Sequence, residues 1–150
     1  MPRSKTKTLL LASLLAALLN ECNAAEPGQE IAPGVRLFAY IRDPRIKESS
    51  GIVVSRRHTN VYWTHNDGGG PKKQVLYAID REGNTRASFP FVGVTLRDWE
   101  DIAIDDAGHL YIGDIGNNDS KRDALAVYEI EEPNPKAGAE PISPKRAPGI

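Results

Sequence analysis

Aligned on itself, the chain repeats at about fifty residues, and this constrains its fold more than any other feature. Ser50-Gly51-Ile52-Val53-Val54-Ser55 matches Glu100-Asp101-Ile102-Ala103-Ile104-Asp105 at an offset of 50. Val61-Tyr62-Trp63-Thr64-His65 matches Leu110-Tyr111-Ile112-Gly113-Asp114 at 49, and Leu76-Tyr77-Ala78-Ile79 matches Val127-Tyr128-Glu129-Ile130 at 51. The matched segments are short apolar runs separated by turn residues, with no sustained 3.6-residue period. The pattern predicts strands over 35–41, 51–55, 61–65, 74–80, 85–91, 99–105, 110–115 and 125–131. Asp80-Arg81-Glu82-Gly83 and Asp105-Asp106-Ala107-Gly108 share an Asp-x-x-Gly turn, whose glycine supplies the positive φ that closes a short hairpin. Repeats of about 40–50 residues holding four short strands are the mark of propeller blades. The expected fold class is therefore all-β, a partial β-propeller of about two blades, over 51–91 and from 99 to 131.

The strand count does not close a ring. After Glu131 the chain carries Pro133, Pro135, Pro141, Pro144 and Pro148, a composition expected not to continue a sheet, so the second blade lacks its fourth strand. A ring needs roughly four to eight blades. The expectation is a chain truncated relative to a closed ring, its remaining blades missing or supplied by self-association. The organisation is then a secretory signal over 1–25, an N-terminal segment with a ring-closing strand over 26–46, two blade repeats over 47–133 and a Pro-rich tail over 134–150.

Arg3, Lys5 and Lys7 precede an uncharged Leu- and Ala-rich run over 8–20, followed by Asn23, Ala24 and Ala25, in the order of a signal peptide. The run is too short to span a hydrocarbon core of ~30 Å. A secreted or periplasmic location follows, with no stable membrane span after cleavage. Glu21, where a small residue would precede a lipidated cysteine, argues against an anchor on Cys22. Cleavage removes Cys22, the single cysteine, and with it any disulfide, thiolate ligand or Cys nucleophile. The remaining chain has 16 Lys+Arg against 19 Asp+Glu, without the basic block of a nucleic-acid binder.

Consecutive blade strands are antiparallel, so the start of a first strand and the end of a second share one face of the ring. That face collects Glu48-Ser49-Ser50, His65-Asn66-Asp67-Gly68, Asp98-Trp99-Glu100-Asp101 and Asp114-Ile115-Gly116-Asn117. From Asp98 to Asp119 there are seven acids and no Lys or Arg. Crowded carboxylates suit a hard divalent cation, Ca²⁺ or Mg²⁺, while turn Asp and Asn capping their own loops account for many of the same residues. Glu100, Asp101 and Asp114 stand out because apolar strand neighbours, not turns, surround them. Other chemistries lack their signatures. Gly68 to Lys73 lacks the Gly-Lys-Ser/Thr ending of a phosphate loop, and no nucleophile elbow accompanies Ser49, Ser50, His65 and Asp67. His58, His65 and His109 have no metal-ligand spacing.

Glu48-Ser49-Ser50-Gly51-Ile52, Trp63-Thr64-His65-Asn66-Asp67-Gly68-Gly69, Leu76-Tyr77-Ala78-Ile79-Asp80, Asp98-Trp99-Glu100-Asp101-Ile102-Ala103 and Leu110-Tyr111-Ile112-Gly113-Asp114-Ile115-Gly116-Asn117-Asn118 together resemble a family of secreted bacterial β-propeller proteins, grouped with phytase-like, NHL-like and gluconolactonase-like propellers. The resemblance covers about 47–133. Calcium-dependent phytases and lactonases of this kind hold divalent cations with acidic and amide side chains at the channel mouth. Carried over, the resemblance implies Glu48, Asn66, Asp67, Glu100, Asp101, Asp114 and Asn117 as metal ligands. It also implies a small anionic or hydroxylated ligand and, for the full-length form, phosphoester or lactone hydrolysis. No catalytic residue is assigned. The alternatives are a non-catalytic scaffold propeller for a protein or glycan partner, and a non-functional truncated gene product.

Overall fold

The computed structural model describes residues 24–68, 70, 74–136 and 140–146. The signal segment, except Ala24 and Ala25, lies outside the described residues, as do Gly69 and 71–73 of the glycine-rich turn and 137–139 and 147–150 of the tail. The fold is all-β, and no helix occurs among the described residues. No helix there is long and apolar enough to cross a membrane.

The chain divides into Met1–Leu37 and Phe38–Ile150. The described part of the first unit is a hairpin of β1 (Glu30–Ala32) and β2 (Val35–Arg36), turned at Gly34 with φ of +74°. The strand expected over 35–41 thus reaches only Arg36. Beyond it, 37–43 form no strand, and the chain turns at Pro44 and Arg45, where Asp43 accepts from the Arg45 N–H at 2.9 Å, from the Arg45 guanidinium at 2.7 Å and from the Thr85 hydroxyl at 2.7 Å. Those bonds hold the Asp43 carboxyl well below the usual carboxylate range, the Arg45 contact contributing most.

The second unit contains two four-stranded antiparallel sheets. The first takes β3 (Ser49–Val54), β4 (Tyr62–Asn66), β5 (Val75–Ile79) and β6 (Thr85–Pro90) in chain order. The second takes β7 (Asp101–Ile104), β8 (His109–Asp114), β9 (Ala126–Glu131) and β10 (Lys145–Arg146), again in chain order. Strands β3 to β9 match the expected segments to within two residues. β10 corrects the expectation that the Pro-rich tail cannot continue a sheet: Lys145 and Arg146 pair with Glu129 and Tyr128. An edge strand leaves one ladder side free, and a two-residue pairing fits after Pro144. Ile142 also bridges to Phe91, with N–H···O bonds of 2.8 and 2.9 Å tying the tail to the end of β6.

One core joins the sheets. Trp63, Leu76, Ala78 and Phe89 from the first meet Ile102, Leu110, Ile112 and Ile130 from the second, with Leu96 and Trp99 from the connection. Each fully buried large apolar side chain here contributes about 1.5–3 kcal/mol. Phe91 meets Trp99 edge-on at 5.3 Å. Glu132, just past β9, fastens the sheets at their far side: its buried carboxylate accepts from Trp63 Nε1 at 2.6 Å and from the Arg56 and Arg57 backbone N–H groups at 3.2 and 3.1 Å.

The pairing register sharpens the internal repeat. Val53 opposes Trp63 where Ala103 opposes Tyr111, and Tyr62 opposes Ile79 where Leu110 opposes Ile130. Equivalent positions are thus 50 apart in the first strands (53 to 103), 48 in the second (63 to 111) and 51 in the third (79 to 130). The expected 49 for the second strands is corrected by one residue, which exchanges the two faces. The cause is turn length. The Ser55 N–H bonds to Val61 O across five residues, and the Asp105 N–H bonds to His109 O across three, so the second repeat loses two.

Replacing Glu132 by Ala would leave the Trp63 N–H and two backbone N–H groups buried without an acceptor. Glu132→Ala is expected to lower unfolding stability by about 3 kcal/mol, and Glu132→Gln by less, read as a fall in the urea midpoint at unchanged slope.

Candidate functional site

At the edge where β3 and β7 begin and β4 and β8 end, the two sheets repeat one device. The Asn66 side-chain oxygen accepts from the backbone N–H groups of Lys47 and Glu48 at 2.9 and 3.2 Å. The Asp114 carboxylate accepts from those of Arg97 and Asp98 at 3.1 and 2.8 Å. Each clamp ties the end of a second strand to the loop entering a first strand. Asp114 also carries a charge, and Arg122 answers it at 3.0 Å while donating to Gly116 O at 2.7 Å. This is the partner that an acid inside the Tyr111–Gly116 apolar stretch requires.

The clamped loops bring three carboxylates together. Asp67 follows β4, and Asp98 and Glu100 precede β7; one oxygen from each lies within 4.8 Å of the other two. The floor of the cluster is Gly116, whose N–H donates to Asp98 O at 2.9 Å. A side chain at Gly116 would collide with the Asp98 and Glu100 carboxylates. Ser50 hydroxyl donates to Glu100 O at 2.7 Å, holding β3 beside the entry to β7. Burial, with Asp67 and Asp98 beside it, pushes the Glu100 carboxyl above its ordinary value. Asp67 Oδ1 is buried and has no hydrogen-bond partner among the described residues.

Of the seven expected ligands, the structure brings together Asp67 and Glu100 and adds Asp98. Asn66 and Asp114 are the loop clamps. Glu48 is exposed outside the carboxylate group, its backbone engaged by Asn66 and by the Asp67 N–H at 2.7 Å. Asp101 is exposed and accepts from the Ile102 N–H at 2.8 Å, and Asn117 caps its own loop by accepting from the Arg122 N–H at 3.0 Å. Asp98 lies in the same acidic run, but nothing in its spacing distinguishes it from Asp101; its convergence with Asp67 arises from the Gly68–Trp99 bridge between their loops.

His65 is fully buried against Trp99, ring centres 4.3 Å apart. Its Nδ1 donates to Asn66 O at 3.0 Å, and burial lowers its pKa, keeping the ring neutral. Ser49 bonds Thr64 at 2.7 Å and Ser50 bonds Glu100, so neither serine is hydrogen-bonded to His65. Comparisons with known protein families, curated proteins and solved structures return no match to this chain.

Two predictions follow from this geometry. Asp114→Ala leaves Arg122 uncompensated and is expected to cost about 3–5 kcal/mol. Asn66→Ala removes only neutral hydrogen bonds and is expected to cost about 2 kcal/mol, so the two urea midpoints should rank in that order. Glu100, its folded value raised, loses stability as pH climbs from the ordinary carboxylate range through that value. In chelator, Glu100→Gln should therefore match the parent's melting temperature near about pH 3 and exceed it near about pH 7.

Proposed function

We propose that this chain contributes two blades to an exported β-propeller, and that Asp67, Asp98 and Glu100 hold a divalent cation, Ca²⁺ or Mg²⁺, at the mouth where the two blades meet. Two consecutive four-stranded antiparallel sheets, each begun by a first strand lying beside its counterpart, support the propeller reading. Export rests on the basic, apolar and small-residue order of the first 25 residues.

The observation that carries the cation site is the carboxylate triad with its buried, unpartnered Asp67 oxygen. Three acidic oxygens within 4.8 Å repel one another unless a positive charge sits among them. Oxygens this close can share one ion, at metal–oxygen distances of about 2.4 Å for Ca²⁺ or about 2.1 Å for Mg²⁺. Three protein oxygens leave coordination positions for water or for an oxygen of an anionic or hydroxylated ligand. In a hydrolase of phosphoesters or lactones the ion would polarise the oxygen that gains charge.

Calcium titration by calorimetry tests the site. Binding heat is expected for the parent chain, lost in Asp98→Asn and Glu100→Gln, and retained in Asp101→Asn and Asn117→Ala. Heat that survives both Asp98→Asn and Glu100→Gln would remove the assignment.

A further inference from the structure

The structural offsets of 50, 48 and 51 have a geometric consequence for the two faces of each sheet. In the second sheet, Ile102, Leu110 and Ile130 pack into the shared core. Their equivalents in the first sheet are Ile52, Tyr62 and Ile79, on the opposite face from the core residues Val53, Trp63 and Ala78. Conversely, the core residues Val53, Trp63 and Leu76 have Ala103, Tyr111 and Val127 as equivalents, on the outward face of the second sheet. The sheet-to-sheet contact inside the chain therefore joins unlike faces. Each outer face is a repeat copy of a face that the chain itself buries.

The outer face of the first sheet is apolar; Tyr77 and Ile79 on it are buried, and the face is open along β3. Ile52 is 55% exposed, Val54 56% and Phe38 50%. Phe38, Ile41, Ile52, Val54, Tyr62 and Ile79 border a groove of about 380 Å³. The segment from Phe38 onward covers β4 and β5, with Phe38 edge-on to Tyr62 at 5.4 Å and Arg45 over Tyr77, and leaves Ile52 and Val54 of β3 exposed. The complementary face of the second sheet is concave beside β7 and β8: Ala103, Tyr111, Gly113, Ile115 and Val127 line a depression of about 170 Å³. Small residues at Ala103 and Gly113 leave room for protruding β-branched side chains such as Ile52 and Val54. The two faces also differ in charge: the Arg81 guanidinium lies 5.3 Å over the Phe38 ring, while Asp101 and Glu129 stand on the face of the second sheet.

We propose that the outer face of the first sheet docks a second copy of this chain, through the Ala103–Tyr111–Val127 face of that copy's second sheet. The contact is head to tail and continues the packing already present between the two sheets of one chain. Because unlike faces meet, the interface is heterologous, and a ring of four to eight blades closes with two to four copies. This rests on the propeller geometry proposed above but not on the cation site.

Size-exclusion chromatography with light scattering, under reducing conditions and across a wide concentration range, tests it. The purified chain should form a closed assembly of two to four copies. Ile52→Asp and Ala103→Asp, both at exposed positions, should each yield a monomer with a cooperative melt like the parent's. Mixed in equal amounts, the two variants should form a dimer, since one retains an intact first face and the other an intact second face. A parent chain that stays monomeric overturns the proposal whatever the variants do, as does an assembly that survives both substitutions or a mixture that stays monomeric. A monomer that still takes up calcium would overturn the docking alone and leave the cation site standing.

Discussion

A four-stranded sheet with apolar residues on both faces needs cover on both, and within the described residues of the second unit each sheet has one other sheet to pack against. The shared core satisfies one face of each: Trp63, Leu76 and Phe89 on one side, Ile102, Leu110 and Ile112 on the other. The first turn of the second repeat is two residues shorter than that of the first repeat, and the pleat has period two, so the facing of each strand is preserved while the offset changes. The same arrangement sets the first strands side by side. Gly51 makes this approach feasible, since a Cβ there would lie 3.0 Å from the Ile102 side chain. Close contact at Gly51 brings the loops of both sheets to one edge, and the carboxylate triad forms there.

Carboxylates serve three separate purposes in this chain, distinguished by their partners. Asp80 and Asp105 organise hairpin turns; Asp105 accepts from the His109 N–H at 2.8 Å and from the His109 ring at 2.9 Å, with Tyr111 adding less, bonds that hold its pKa at about 2. Asp114 and Glu132 are buried and fully engaged, one by two backbone N–H groups and a guanidinium, the other by an indole and two backbone N–H groups. A buried carboxylate oxygen without such donors costs several kcal/mol. Asp67 Oδ1 is in that position, with two further acids beside it instead of donors. The electrostatics of the triad are the reverse of those at Asp114, and that contrast separates a ligand-seeking cluster from a structural acid.

Strands β3 to β9 were legible in the sequence because alternation and the Asp-x-x-Gly turns are local signals. The rest depends on contacts between distant segments. The shared Tyr62 and Tyr111 favour an offset of 49, whereas the ladder pairs the strands at 48 and puts those tyrosines on opposite faces. Pro144 and Pro148 conceal β10, which is held by edge pairing and by the bonds of Ile142 to Pro90 O and the Val92 N–H. At the site, the acidic run and its edge of the sheet could be read, but not which acids meet. Glu100 and Asp101 are adjacent in sequence and project oppositely from an extended chain, so one joins Asp67 and the other does not. Arg122 and Glu132 give no signal, since their roles lie in pairing with residues up to 76 positions away.

The triad straddles the joint between the sheets, with Asp67 supplied by the first sheet's loop and Asp98 and Glu100 by the segment entering the second. An ion there would replace repulsion across the joint with attraction, bracing the contact that Ser50 and Gly51 make with Glu100 and Ile102. Ligand binding to the folded state alone raises stability by RT ln(1 + [L]/Kd), so occupancy would act on the angle between neighbouring sheets as well as on the site. In a ring these angles must together make a full turn, and a small error at each accumulates around the circle. A cation at this edge would act on the joint within the chain, and the proposed packing of outer faces would act on the joints between copies, so closure would depend on both.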